Sequence, residues 1–290
     1  MSRPIPDGVL PDVTPNGVTP SDADITAFRA VVLDHYARQG RSFPWRDTRD
    51  PWRILVSEVM LQQTQTARVE PRFSAWFERF PDAAALAAAP LAEVYAAWKG
   101  LGYNNRALRL REAARIVAKD HGGTPPDDEA ALRALPGVGA YTARAVLAFA
   151  YDRATVFLET NIRSAIIFAF FPEEEHVRDR DLQAVARRLL PPADPRTWYY
   201  ALMDYGAWIK RLEPNPSRRA AAYARQSRFE GSARQARGAV LRALSDYGAM
   251  ELERLAATAG LEPGRAGRAA EALAAEGLVR YQAGVVSFEK

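Results

Sequence analysis

The chain has 290 residues, 48% of them hydrophobic, with no cysteine, three histidines and a formal net charge of +4. That length allows about two domains and a sizeable core. The missing cysteine excludes disulfides and thiolate metal sites, and His35, His121 and His176 have no ligand spacing, so all three are read as surface or packing residues. The charge is unevenly spread: residues 209–242 hold nine basic side chains against Glu213 and Glu230, leaving the rest of the chain slightly acidic. A basic segment on a near-neutral body, interleaved with Tyr223 and Phe229, points to a polyanion such as nucleic acid, although such runs also occur as solvated faces. No signal-peptide core follows Met1 and no run is long and apolar enough to span a bilayer, which predicts a cytoplasmic protein with no membrane partner.

Residues 1–20 are rich in Pro, Gly and Asp without periodicity and are expected to be a disordered tail. Ser21 or Asp22 can cap a helix whose apolar face is Ile25, Phe28, Val31, Val32 and Tyr36, ending near Gln39-Gly40. Two aromatic, proline-containing turns, at Phe43–Arg46 and Asp50–Arg53, lead into a strongly apolar helix, Ile54–Thr66. There Glu58 sits among Ile54, Leu55, Val59, Met60 and Leu61, so its carboxylate either faces solvent or is desolvated. Further helices are expected at Pro71–Phe80, Ala83–Ala89, Leu91–Lys99 and Arg106–His121, the last two separated by the turn 100–105. High alanine content and few alternating β-branched runs predict an all-α body.

The sequence then reads LPGVGAYTARAV from Leu135 to Val146, after the amphipathic run Asp128–Ala134. Two glycines in the turn permit close approach, and the following helix can aim its first amides outward, where they bind a phosphate without a charged side chain. This is a helix-hairpin-helix, although a glycine-terminated helix followed by another is also common in proteins that bind no nucleic acid. Helices are expected at Ile162–Phe171, Leu182–Leu190 and Thr197–Lys210, the last carrying Trp198, Tyr199, Tyr200, Met203, Tyr205 and Trp208 as core. Residues 211–233 form a basic connector. Beyond it, helices at Arg234–Tyr247, Glu251–Ala259 and Pro263–Glu276 and a two-stranded wing turning at Ala283-Gly284 describe a winged helix, a module that binds DNA or protein equally well.

Five stretches, in order, resemble one family: FPWRDTRDPWRILVSEVMLQQTQT (Phe43–Thr66), WKGLGYNNRA (Trp98–Ala107), ALPGVGAYTARAV (Ala134–Val146), ETNIRS (Glu159–Ser164) and ALMDYGA (Ala201–Ala207). They are similar to the helix-hairpin-helix (HhH-GPD) DNA glycosylases of the MutY and endonuclease III type, and SEVMLQQTQT in particular resembles the adenine glycosylases. The resemblance implies an all-α, two-lobed glycosylase domain over residues 21–210, with the connector 211–233 and the winged helix 234–290 appended. Double-stranded DNA with a mispaired or damaged base is the implied partner.

The resemblance also assigns residues. Glu58, its pKa raised by desolvation, is the expected acid for the departing base, and Glu159, before a helix N-terminus that favours negative charge, is expected to stay ionised and stabilise the sugar cation. Most members have Asp at that second position, and Tyr141 stands where lyase-active members have a Schiff-base lysine, so a monofunctional glycosylase is implied. Asn161 and Tyr141 are expected near the sugar phosphate or the attacking water. Gln62, Gln63 and Tyr103 are expected to wedge into the duplex as the base flips out, and Trp45 and Arg46 to line the base pocket, with packing an equal reading for Trp45. Gly137, Val138, Gly139 and Thr142 are expected to hold DNA at the hairpin, where relatives also carry a monovalent cation. No four-cysteine iron–sulfur loop follows ALMDYGA, so Arg218, Arg219, Arg225 and Arg228 are expected to take over phosphate contacts. The Nudix-like domain with which MutY-type enzymes inspect oxidised guanine is replaced by the winged helix. Adenine removal from a mispair leads; excision of thymine, uracil or an oxidised pyrimidine is its rival, and a non-catalytic DNA-binding protein is a third reading.

Overall fold

A computed structural model describes residues 20–212, 214–224 and 228–289. The expected tail and Arg225 fall outside them. In chain order the helices are α1 (Asp22–Gln39), α2 (Pro51–Leu61), α3 (Thr66–Arg79), α4 (Ala83–Ala88), α5 (Leu91–Trp98), α6 (Asn105–Asp120), α7 (Glu129–Ala134), α8 (Ala140–Tyr151), α9 (Thr160–Phe170), α10 (Asp179–Leu189), α11 (Pro195–Leu212), α12 (Ala233–Tyr247), α13 (Leu252–Ala259) and α14 (Pro263–Ala275). Strand β1 (Met250–Glu251) precedes α13, and β2 (Val279–Gln282) and β3 (Val285–Phe288) close the chain. No described helix is long and apolar enough to cross a membrane.

The chain forms two compact units, each drawn from two separated stretches: the described residues of Met1–Arg49 with Ala140–Arg225, and those of Asp50–Gly139 with Gln226–Lys290. The stretch 21–210, expected as one two-lobed domain, is shared between these units, and the winged helix belongs to the unit that holds α2–α7.

In the first unit, Ser21 caps α1 in a reciprocal box with Asp24. The buried face of α1 is Ile25, Phe28, Val32 and His35. Phe28 meets Phe170 of α9 and Tyr205 of α11 edge-on at 5.0 and 5.9 Å, and His35 packs between Tyr205 and Trp208. Of the bulky run of α11, Trp198, Tyr199, Tyr200 and Tyr205 are buried while Met203 and Trp208 stay half-buried; Tyr200 stacks on Phe149 and Tyr199 on Phe157.

A buried ion cluster fixes the loop before α2. Arg46 donates from Nη1 and Nη2 to the two carboxylate oxygens of Asp204, each at 2.8 Å, and its guanidinium lies over the Tyr200 ring. Arg41 adds its backbone amide and Nε, both at 2.7 Å. The Asp204 side chain is 2% exposed and that of Arg46 7%. Trp45 is also buried and stacks on Phe43 at 4.8 Å. Arg46 and Trp45, expected at the base pocket with packing an equal reading for Trp45, are thus packed in this unit, where Asp204 offers the guanidinium a bidentate partner.

In the second unit, α3–α6 enclose Trp76 and Trp98, whose rings meet edge-on at 5.6 Å. α2 stops at Leu61, five residues before the expected end, because Gln63 takes a left-handed φ of 54°. α3 begins at Thr66 and carries Pro71 inside it rather than at its start. The winged module buries Val240, Leu244, Leu255, Ala266, Leu273, Leu278 and Val286. Its sheet has the order β1-β3-β2, all antiparallel, with Met250 and Tyr281 opposite Val286 on either side; β1 has no sequence signal beyond its two residues. The wing turns on Ala283 and Gly284, both at positive φ, as a two-residue hairpin requires. This module packs on α5 through Lys99–Asp246 at 2.8 Å and the Tyr95–Phe288 stack at 5.2 Å.

Burial alone would raise the Asp204 carboxyl, but the hydrogen bonds and charges of Arg46 and Arg41 outweigh it and hold the group below the ordinary carboxylate range. Asp204→Asn breaks a buried pair and should cost about 3–5 kcal/mol at neutral pH. Because the folded value is depressed, Asp204's contribution is present above the unfolded value of about 3.9 and is lost as pH falls through the folded value. Denaturant melts over an acid series should therefore show the difference between wild type and variant shrinking in that window.

Candidate functional site

In the second unit, Asp50 starts α2 by accepting from the amides of Trp52 and Arg53 at 2.8 and 3.3 Å, with Pro51 at the first helical position. Every residue from Ile54 to Met60 is buried, and Glu58 among them is 4% exposed. Its desolvation is the alternative that the sequence left open, and the fold takes it.

The C-terminus of α2 is closed by Arg106, a residue that the sequence reading used only as a helix start. Its Nη1 donates to the carbonyls of Val59, Met60 and Gln62 at 2.7–3.0 Å. Its Nη2 donates to Thr64 Oγ1 and to the carbonyls of Leu101 and Gly102 at 2.9–3.2 Å. A cation here satisfies carbonyls that the helix leaves open and meets the negative end of its dipole. Burial, only partly offset by Tyr103, pulls the guanidinium down to about 10. The same side chain thus knits the Gln62–Gln63 turn to the Gly100–Tyr103 turn, placing all three expected wedge residues on turns rather than on a helix face. Tyr103 has a φ of 47°, and its hydroxyl accepts from Arg234 Nη1 at 2.8 Å.

The hairpin turn also lies in this unit. Gly137 has a φ of 81°, and a Cβ there would stand 3.1 Å from the side chain of Arg109, so both conformation and space require glycine. A Cβ on Gly139 would meet nothing within 4 Å. Val138 is buried, its amide donating to Leu135 O at 3.1 Å, and Gly137 O accepts from Gln62 Nε2 at 3.4 Å. Leu135 O and Gly137 O, two carbonyls of the hairpin, thus each accept a hydrogen bond within the unit. Among the described residues no group of three or more His, Cys, Asp or Glu could hold a metal.

In the first unit, Glu159 is the N-cap of α9: Oε1 accepts from the Ile162 amide at 2.7 Å, and Oε2 from Asn161 Nδ2 at 3.3 Å. Asn161 Oδ1 in turn accepts from Lys210 Nζ at 2.9 Å. Lys210 is a member of this network that the sequence reading counted only as part of the basic run. Its signal was its spacing, four residues after Gly206 on one face of α11. Gly206 is where α11 and α9 touch: a Cβ there would lie 2.6 Å from the carbonyl carbon of Asn161. Burial raises the Glu159 carboxyl above its usual range, against the pull of the Asn161 and Ile162 amides and of Lys210 and Arg163. The helix terminus alone predicted an easily ionised group, so burial reverses the expected direction.

Tyr141 meets Phe157 edge-on at 5.6 Å. Thr142, expected at the DNA, is 2% exposed on the inner face of α8, one helical step round from Tyr141. Of the connector arginines, Arg219 is drawn inward: Nη1 donates to the carbonyls of Phe171, Pro172 and Glu174 at 2.7–3.1 Å, closing the end of α9. Arg218 and Arg228 are exposed, Arg228 beside Glu230 at 3.5 Å.

Comparison with known proteins gives a consistent picture. A model of the HhH-GPD superfamily base excision DNA repair proteins matches residues 56–194. An adenine DNA glycosylase of Mycolicibacterium smegmatis is 45% identical over 180 residues, 61% of this chain and 61% of that protein, so the chain spans about three-fifths of that relative. A thymine/uracil-DNA glycosylase of Methanothermobacter thermautotrophicus is 32% identical over 185 residues, covering 63% of this chain and 84% of that one. The solved structure of a thermostable thymine-DNA glycosylase superposes with a TM-score of 0.56 at 30% identity, covering 63% of this chain and 86% of that one.

Gly206→Ala should force α9 off α11, costing roughly 1–3 kcal/mol by overpacking, with the shift passing to Asn161 and Glu159; a melting curve measures the first effect and the Glu159 carboxyl resonance the second. Arg106→Leu should leave the α2 carbonyls unpaired and cost about 3 kcal/mol or more. Hydrogen exchange at residues 61–64 and 100–104 should rise in that variant while exchange in the winged module stays slow.

Proposed function

The chain belongs to the HhH-GPD superfamily of base excision DNA repair proteins, and on that premise we propose that it is a monofunctional DNA N-glycosylase that removes adenine from a mispair. The observation that carries the reading is Glu58, a carboxyl 4% exposed in the middle of an apolar helix. A carboxyl in such a place is suited to act as a general acid, giving the departing base the proton it needs. The sequence around Glu58 and the identity to an adenine DNA glycosylase support adenine as that base.

The reaction replaces the bond between sugar C1′ and the base with one between C1′ and a water oxygen. As the glycosidic bond breaks, the base leaves with a proton from Glu58 and the sugar passes through an oxocarbenium-like cation. Glu159 stabilises that cation or takes the proton from water, with Asn161 and Lys210 orienting its carboxylate. Tyr141 has no amine, so no Schiff base forms and the DNA strand stays intact after base release. The base must leave the stack to react, and Gln62, Gln63 and Tyr103 fill the space it vacates. Amides of Gly137 and Gly139, and separately the exposed Arg218 and Arg228, hold phosphates, and the enzyme acts in the compartment that holds the chromosome. A pyrimidine specificity is the second reading, favoured by the identity to a thymine/uracil-DNA glycosylase along 84% of that protein.

Single-turnover base release from duplexes carrying adenine opposite guanine or oxidised guanine, and uracil or thymine opposite guanine, decides between them. Adenine release with strand cutting only after alkali is expected. Pyrimidine release supports the second reading, and binding without any release overturns both. Glu58→Gln should bind duplex yet release base at least about 10²-fold more slowly. Glu159→Gln should lose activity comparably. Because burial raises the folded carboxyl of Glu159, its ionised form costs stability above the unfolded value, and that cost is relieved as pH falls through the folded one. The Glu159→Gln protein should therefore melt no lower than wild type at neutral pH.

A further inference from the structure

Within the second unit, a cleft of about 740 Å³ opens between the Gly100–Arg106 turn and α12. One wall holds Gln62, Gln63 and Tyr103. The other is a stripe of α12, Arg234, Arg237, Gly238, Leu241, Arg242 and Ser245, whose spacing of three and four places it on one helical face. Ala236, Val240, Leu241, Ala243 and Leu244 are the buried residues of α12 that anchor it in the module, Leu241 at the floor of the cleft.

The cleft is strongly cationic. Seven basic side chains line it against one carboxylate, Glu276. Glu276 is taken by Arg237 at 2.7 Å, and Lys99 by Asp246 at 2.8 Å. Arg106 is spent on carbonyls and Arg234 on the Tyr103 hydroxyl. Arg109 and Arg242 are exposed and take part in no ion pair among the described residues. Phe229, also lining the cleft, is 58% exposed.

Gly238 adds an independent observation. It lies in the interior of a 15-residue helix, where glycine is unfavourable, and a Cβ there would meet nothing within 4 Å. Packing within the protein therefore gives no reason for the glycine. It leaves the helix backbone open to close approach from the cleft.

We propose that this cleft is a second DNA-contact surface, in which α12 of the winged module grips the sugar-phosphate backbone of the duplex beside Tyr103. The identity of the duplex rests on the glycosylase reading above. Charge complementarity fits a phosphodiester chain, and the facing wall carries the residues proposed to enter the duplex, so the occupant of the cleft is continuous with that duplex. In this arrangement Arg234 is a positioning residue: it holds the Tyr103 ring by its hydroxyl. The helix-turn-helix of the module is α13–α14, and its second helix would ordinarily read DNA. The surface proposed uses α12 instead.

The test is fluorescence anisotropy of the full chain on an intact duplex across a salt series. Arg242→Ala should weaken binding several-fold at low salt and lower the slope of log K against log salt by about one, the signature of one lost phosphate contact. Gly238→Leu should weaken binding with the slope kept and the melting temperature not reduced, since leucine favours the helix. Arg268→Ala, which removes an exposed charge from α14, should leave affinity and slope as in wild type. Unchanged binding in the Arg242 and Gly238 variants overturns the proposal, as does an equal effect at Arg268 or displacement of the duplex by a polyglutamate peptide at matched ionic strength. Base release by wild type, read in parallel, separates the two claims. Release with cleft variants binding normally rejects the α12 surface and keeps the glycosylase. Weakened variants with no release from any duplex keep the surface and reject the glycosylase.

Discussion

The guanidinium of Arg106 holds together the part of the second unit on which the site depends. α2 is apolar and nearly fully buried, so its last carbonyls cannot turn to water, and the chain beyond must reverse at once through Gln63 at positive φ. One planar cation with five donors meets this need by facing the end of α2 on one side and the Gly100–Tyr103 turn on the other. A lysine, with a single ammonium, could not span both turns. The cost is a desolvated charge, reflected in its lowered pKa. The return is that Gln62, Gln63 and Tyr103 stand on two mutually braced turns.

The first unit solves a comparable problem with a small residue rather than a large one. Glycine at position 206 brings the backbone of α11 against that of α9, and Lys210, one turn on, then reaches Asn161 and through it Glu159. A carboxylate at a helix N-terminus is ordinarily easy to ionise. Here burial opposes ionisation and the network restores part of it. The Arg46–Asp204 pair is different: both side chains are buried and joined by two hydrogen bonds, and the guanidinium lies over the Tyr200 ring.

The second unit also changes the meaning of the C-terminal module. It is compact with α2–α7, and the first of its helices shares a cleft with the Tyr103 turn. Its arginines, counted as part of one basic run in the sequence, have separate fates. Arg237 neutralises Glu276, Arg234 supports Tyr103, and Arg242 faces the open cleft. Arg219, farther up the same run, closes the end of α9. A run of like charges is a statement about composition, and only packing divides it into structural and available groups.

What the sequence determined by itself was local and periodic. Apolar spacing marked the helices, Ser21 and Asp50 their starts, Ala283-Gly284 the wing, and the ordered stretches from Phe43 to Ala207 the family, because each depends on near neighbours in the chain. Glu58 in an apolar helix was legible for the same reason, although its burial was not. The tertiary structure decided matters that depend on distant partners: the end of α2 at Leu61, set by a left-handed Gln63 and a cation 44 residues beyond Gln62; the pairing of Arg46 with an aspartate 158 residues away; the link from Lys210 to Glu159; and the division of the chain into two units drawn from separated segments. A desolvation cost or a bidentate partner belongs to a place in space, and no window of sequence contains it.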